Sequence, residues 1–169
     1  DGNPSDKNEF YNNSKLYKSI FMDFAKHADI FIAAHYYSTD FPFLFTREDA
    51  KHPEFNLQVI ADISCDINGP VASTIRSSTV ANPIYGYNPK SEQEDDYMKN
   101  DVIAVMAVDN LPCELPKDAS EYFGNELLEK LIPLLITGDK DQIIENATIC
   151  KNGDLTPRFE YLRGFVNES

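Results

Sequence analysis

Glycine is the first scarcity: seven in 169 residues, scattered, and never spaced as GxGxxG. A strand-to-helix turn that lays backbone N–H groups on a pyrophosphate needs that spacing. The chain therefore carries no such turn. Cysteine is sparse too. Cys65, Cys113 and Cys150 are odd in number and far apart, which argues against a disulfide framework or a zinc ribbon and suits reduced thiols in a cytoplasmic protein. His27, His35 and His52 fall at no metal-ligand spacing, so no metal site is expected. Basic residues are outnumbered, 15 against 28 acidic, for a formal net charge of -13. That excludes a broad phosphate-binding face and attraction to anionic lipid, so no nucleic-acid or membrane partner is expected. No apolar run reaches transmembrane length, and the polar start, Asp1-Gly2-Asn3-Pro4-Ser5-Asp6-Lys7, has no signal core. The start without Met reads as a trimmed chain.

At 42% hydrophobic and 12% aromatic, the chain can bury a sizeable core, enough for one domain or one and a half. Residues 1–12 read as a flexible, polar lead-in. Asn13 reads as the cap of a helix to about residue 27, with Tyr17, Ile20, Phe21, Phe24 and Ala28 on its apolar face. Residues 29–34 read as a strand. Thr46 with Asp49 resembles a helix start. Residues 57–63 are mostly apolar and β-favouring, which suits a strand covered on both faces. Residues 84–87 read as a short edge strand between Pro83 and Pro89, and Glu92-Gln93-Glu94-Asp95-Asp96 as a solvated loop. Residues 101–108 are the third clear strand. Pro116 suits the first turn of a long helix with a stripe at Ala119, Phe123, Leu127, Leu131 and Leu135, and Pro133 should kink it. Short helices near 139–146 and 156–166, with an Asn152-Gly153 turn between them, complete the chain. The alternation argues for an α/β fold with a parallel sheet.

Three strands end in polar corners: His35-Tyr36, Ser64-Cys65-Asp66 and Asp109-Asn110-Leu111. In a parallel sheet those ends share one rim, where ligands bind. Backbone groups there can approach a flat ring, and a carboxylate can orient a ribose or move a proton. Cys65 reads as a structural thiol, since no basic neighbour activates it. Arg76 reads either as a partner for a phosphate or carboxylate or as a surface charge.

Asp62-Ile63-Ser64-Cys65-Asp66 followed by Val108-Asp109-Asn110-Leu111-Pro112 resembles the saccharopine dehydrogenase (lysine-forming) and lysine-ketoglutarate reductase group of the alanine dehydrogenase and transhydrogenase superfamily. Phe43-Leu44-Phe45-Thr46-Arg47-Glu48-Asp49-Ala50 is similar to that group's "RLLTRxDA" segment. Leu115-Pro116-Lys117-Asp118-Ala119-Ser120-Glu121-Tyr122-Phe123-Gly124 is similar to its "LPxEASxxFG" segment, and Asn152-Gly153 with Tyr161-Leu162 to its closing region. The resemblance implies a partial Rossmann-like sheet: the back half of an NAD(P)-binding domain over residues 13–115. Helices over 116–169 then return to a split second domain. The glycine loop, the acidic residue that selects NAD over NADP, and the catalytic Lys and His would lie in an upstream half of the same protein. The 169 residues alone should be inactive.

Carried over residue by residue, Tyr36 matches a cofactor-contacting Tyr, and His35 beside it is counted with the cofactor-facing set. Asp62, Ile63 and Ser64 match a strand end facing nicotinamide and substrate. Val108, Asp109, Asn110 and Leu111 match a cofactor-contacting stretch. Asp66 aligns with the Asp of the "DQGG" turn that takes part in proton transfer in alanine dehydrogenase. This chain has Asp66-Ile67-Asn68-Gly69-Pro70 instead, and Pro70-Val71-Ala72 in place of "SIE". The implied activity is NAD- or NADP-dependent hydride transfer on an amino-acid substrate, saccharopine to lysine and 2-oxoglutarate or the reverse. Alanine dehydrogenase-like activity and a non-catalytic half-Rossmann assembly module are the alternatives. Open apolar surface on a half-sheet makes a homodimer an expectation.

Overall fold

The computed structural model describes residues 6–167. The first five residues of the expected lead-in lie outside them. The chain forms two compact units that meet in sequence between Glu114 and Leu115. No helix among the described residues is long and apolar enough to cross a membrane.

The first unit opens differently from the expected helix over 13–27. The helix α1 is Lys7–Asn13, capped by the Asp6 carboxylate, which accepts from the Glu9 N–H at 2.8 Å. A 3-10 turn, Ser14–Leu16, follows, and Tyr17 is already extended. Tertiary hydrogen bonds hold this break: the Ser14 hydroxyl donates to the Asp40 carbonyl and the Ser19 hydroxyl to that of Leu44. The single turn α2, Met22–Ala25, comes next. The proposed stripe is therefore split. Phe21 and Ala28 pack on the core, while Ile20 and Phe24 face solvent. Strand β1, Ile30–Ala33, leads to the turn α3, Arg47–Ala50, where Thr46 and Asp49 close a full capping box.

Strands β2 (Val59–Asp62), β3 (Ile84–Asn88), β4 (Gln93–Asp95) and β5 (Ile103–Met106) complete a five-stranded sheet in the order β1-β2-β5-β3-β4. The strands β1, β2 and β5 run parallel, as the α/β reading requires, and β3 and β4 add an antiparallel hairpin. Two expectations are corrected there. Residues 84–87 are not an edge: β3 lies between β5 and β4, and Tyr85 and Tyr87 are core side chains. The acidic run instead supplies β4, the edge strand on that side of the sheet, and the run's charges are matched by Lys51, Arg47, Arg76 and Lys99.

One sheet face is buried under Phe45, Val71 and Ala72, with Phe31, Ile60, Val105 and Tyr85 aligned across it by register. Each fully buried aliphatic or aromatic side chain contributes about 1.5–3 kcal/mol. The other face is apolar but open: Ile30, Ile32, Val59 and Ile84 are all exposed. Strand β2 is thus not covered on both faces by the described residues of the first unit. Between β2 and β5 an irregular segment, residues 69–74, is buried. Buried backbone must find partners. The Pro70 carbonyl accepts from Leu44 and Phe45, the Thr74 carbonyl from Asn68, and the Tyr85 hydroxyl donates to the Ser73 carbonyl while accepting from the Ile75 N–H.

In the second unit, helix α4 is Pro116–Glu126, with proline in its first turn as expected. Residues Leu127–Leu131 form a π-helical turn before helix α5, Ile132–Thr137. The Ile132 N–H reaches back five residues to the Leu127 carbonyl, so the distortion demanded by Pro133 is absorbed just before the proline. Helix α6 is Ile143–Ala147. The hairpin of β6 (Cys150–Lys151) and β7 (Asp154–Leu155) turns on Asn152 and Gly153, both at positive φ. A 3-10 stretch, Pro157–Leu162, and helix α7, Arg163–Asn167, follow.

Candidate functional site

The parallel register brings the carboxyl ends of β1, β2 and β5 to one rim, with Ala33 opposite Asp62 and Ala61 opposite Met106. Beyond the ladder, side chains take over the stitching. The Ser64 hydroxyl accepts from the His35 N–H at 3.0 Å and donates to the His35 carbonyl at 2.8 Å, so it clamps the ends of β1 and β2 together. The Cys65 thiol donates to the Ala107 carbonyl at 3.2 Å and ties β2 to β5. The Ser78 hydroxyl accepts from the Ala107 N–H and donates to the Pro83 carbonyl, which pins the end of β5 from its other side.

Asp62 is fully buried at the tip of β2. One carboxylate oxygen accepts from the Thr74 hydroxyl at 2.6 Å and the other from the Cys65 N–H at 3.1 Å. Asp66 stands in the following turn, half-buried. Burial and then the Asp62 charge push its carboxyl above the usual range, and His35 opposes them. Burial raises the Tyr37 hydroxyl, and Asp66 raises it further. The Cys65 thiol is raised by burial, then by Asp62, Asp109 and Asp66. Asp66 and Asp109 each follow the carboxyl end of one of two parallel neighbours, β2 and β5, and so stand on the same margin of the sheet. The result is an acidic rim holding a protonated thiol and a carboxyl that keeps its proton to higher pH than an ordinary aspartate.

The expected site residues occupy distinct places. Tyr36 projects into solvent, 76% exposed. His35 is half-buried, and its Nε2 is buried without a hydrogen-bond partner among the described residues. Together with Tyr36 and Tyr37 it lines a cavity of about 1150 Å³ walled by Phe41, Phe43 and residues of α1. The Ile63 side chain is exposed, while its N–H extends the ladder to the Ala33 carbonyl. The Ser64 hydroxyl is committed to the His35 backbone. Val108 is buried and bridged to Ser78, Asp109 and Asn110 stand on an exposed turn, and half-buried Leu111 opens a 3-10 turn. Arg76 does not point at this rim: two guanidinium nitrogens pair with Glu94 and its carbon lies 4.3 Å over the Tyr85 ring. The sequence reading missed Tyr37, Thr74 and Ser78. Only Tyr37 carried a signal, as the neighbour of a strand-end Tyr.

The profile of the family described as "Alanine dehydrogenase/PNT, C-terminal domain" matches residues 7–158. The chain belongs to that family. Among curated proteins it is 29% identical over 164 residues to an alpha-aminoadipic semialdehyde synthase of Arabidopsis thaliana, covering 93% of this chain and 15% of the relative. It is 27% identical over 182 residues to the mitochondrial alpha-aminoadipic semialdehyde synthase of Mus musculus, covering 92% and 20%. A saccharopine dehydrogenase [NAD(+), L-lysine-forming] of Neurospora crassa is 29% identical over 107 residues, covering 63% and 28%. The chain thus spans less than a third of the length of each of these relatives. Family and relatives together mark an oxidoreductase family of NAD-dependent amino-acid dehydrogenases.

Proposed function

We propose that this chain is part of an NAD(P)-dependent oxidoreductase of amino-acid metabolism, and that it supplies the wall against which the nicotinamide lies. The observation that carries this reading is the convergence of three parallel strand ends on one rim, with His35, Asp62, Cys65, Asp66 and Asp109 around it. The residues present fit such a ligand. The His35 Nε2 is buried and unsatisfied beside a cavity lined with aromatic rings, and a buried polar atom calls for a partner.

Tyr36 and the stretch Val108, Asp109, Asn110 and Leu111 would hold the cofactor, NAD or NADP, with His35, Asp62, Ile63 and Ser64 at the strand ends beneath it. When bound, the nicotinamide supplies the hydride acceptor for the carbon bearing the secondary amine of saccharopine, on the way to lysine and 2-oxoglutarate. Asp66 is the chain's proton-holding group. Burial and Asp62 keep a proton on it at a pH where a free aspartate has lost one, and a carboxyl so tuned suits proton exchange with a substrate amine. Ser64 and Thr74 keep the rim in place. The glycine-rich pyrophosphate turn would come from an upstream part of the same protein, whose packing would also cover the open apolar face at Ile30, Ile32, Val59 and Ile84. A second copy of the chain is the other occupant of that face.

The test is to express the full-length product, titrate it with NADH and NADPH, and assay saccharopine-dependent reduction of the cofactor. We expect one cofactor to bind and turnover to require the full chain, with none from the 169 residues alone. Tyr36→Ala should weaken cofactor binding about tenfold, the loss of one good ligand contact, 1.4 kcal/mol. A full-length protein that binds neither cofactor would end the proposal. Turnover of alanine or pyruvate instead of saccharopine would move the substrate to the alanine dehydrogenase type.

A further inference from the structure

The turn that carries Asp66 is under strain. Cys65 and Asn68 both have positive φ, 53° and 54°; asparagine visits this left-handed region readily, whereas a cysteine rarely does. Such a backbone persists only where its surroundings over-determine it. Gly69 allows the turn to close, because a Cβ there would meet the Asp66 Cβ and carbonyl oxygen at 2.7 Å. The Gly69 N–H then donates to that Asp66 carbonyl at 2.9 Å, and the Asn68 N–H to the Thr74 carbonyl at 2.9 Å. A further handle on the turn, beside the Cys65 bonds to Asp62 and Ala107, is a side chain from a distant segment. Arg47, at the start of α3, donates through Nη2 to the Asn68 Oδ1 at 3.0 Å and through Nη1 to Glu92 at 3.0 Å. Glu92 is itself held by Lys51 at 2.6 Å and sits in the tip of the β3–β4 hairpin at a third positive φ, 57°.

We propose that Arg47 is a positioning residue for Asp66, acting through the Asn68 side chain. A lone exposed ion pair would hold nothing in place. A guanidinium is a planar fork, and here its two arms tie the strained turn to an acidic residue that a second cation fixes. A lysine presents one nitrogen in place of the fork that aims two separate nitrogens at the two partners. The brace keeps Asn68 left-handed, Gly69 bonded to Asp66, and the Asp66 carboxylate at the rim beside Asp62, His35 and Tyr37. The functional meaning of that placement rests on the reading of Asp66 given above; the placement itself does not.

The test reads the Asp66 carboxyl directly, by carbon-detected NMR titration of the 169-residue chain, with the signal assigned from Asp66→Asn. Amide exchange at Gly69 is followed in parallel. Arg47→Met and Asn68→Gly are compared with the parent; the second permits the left-handed backbone and removes the whole side chain, its Oδ1 acceptor included. Both should move the Asp66 titration midpoint and speed Gly69 exchange about tenfold, while exchange at Ile60 in the core stays within twofold. Arg47→Lys should resemble Arg47→Met. If neither variant moves Asp66, Arg47 is a surface charge and the proposal falls. If only one of the two variants moves it, the route from Arg47 through Asn68 is wrong and the proposal falls equally. Neither result depends on whether the full-length protein binds a nicotinamide cofactor, so a failed dehydrogenase assay leaves this test intact.

Discussion

Replacing Thr74 with valine tests the rim at its most buried point. Threonine and valine differ little in shape, so the change removes one O–H donor and little packing. The donor serves the Asp62 Oδ2 at 2.6 Å, and neither residue is exposed to solvent. Water cannot replace it. The carboxylate keeps only the Cys65 N–H on its other oxygen. A hydrogen bond to a charged group contributes about 1.5–3 kcal/mol, and stranding a buried charged acceptor lies at the upper end of that span. A loss of about 2–3 kcal/mol at neutral pH follows. At ~4–8 °C per kcal/mol for a unit near 100 residues, melting of the first unit should fall by roughly 10 °C or more. The assay is urea and thermal unfolding of the parent, Thr74→Val, Asp62→Asn and the double variant. With the neutral amide at 62, the valine should cost less than ~1 kcal/mol, a coupling of at least about 1 kcal/mol. A Thr74→Val protein melting within 2 °C of the parent, or strict additivity in the cycle, would refute the claim that this pair holds the tip of β2.

Three further outcomes follow from the same structure. The Tyr85 hydroxyl makes two hydrogen bonds and the Tyr87 hydroxyl is buried with none among the described residues, so urea unfolding should show Tyr85→Phe losing about 1–3 kcal/mol and Tyr87→Phe losing nothing or gaining stability. Burial and three nearby carboxylates raise the Cys65 thiol, whereas Cys113 and Cys150 are exposed; mass spectrometry of timed iodoacetamide reactions should find Cys65 modified at least about tenfold more slowly. The Asp66 carboxyl is raised in the folded state, so the folded protein binds its proton more tightly than the unfolded chain, and this group's stabilising effect is present at low pH and lost as pH rises through the raised value. Asp66→Asn should therefore be more stable than the parent at pH 7, with the gap closing toward the usual carboxylate range near ~4; a gap that widens in acid would contradict this.

The three parallel strands and their shared rim were legible in the residues, because an apolar run that stops at a polar, turn-forming corner is written locally. So were the Thr46 capping box, the proline start of α4 and the Asn152-Gly153 hairpin, each set by chemistry within four residues. The stretch over 13–27 misled. Its helical spacing was real, but hydrogen bonds from Ser14 and Ser19 to residues 26 and 25 positions away outweighed it. The hairpin of β3 and β4 was also hidden, since the acidic run becomes a strand only when Arg76, Lys99, Lys51 and Arg47 gather around it.

Alone, the sequence determined which segments could be strands, which residues end them, and the family to which they point. The tertiary structure decided which of those ends hold each other. Ser64 is spent on His35, Thr74 on Asp62 and Arg76 on Glu94, across gaps of 29, 12 and 18 residues. The reason is physical: a strand's apolar pattern is a local property of its burial, but a polar group, buried or at the surface, takes whichever partner the folded chain brings within 3 Å, and separation along the sequence says nothing about which that will be.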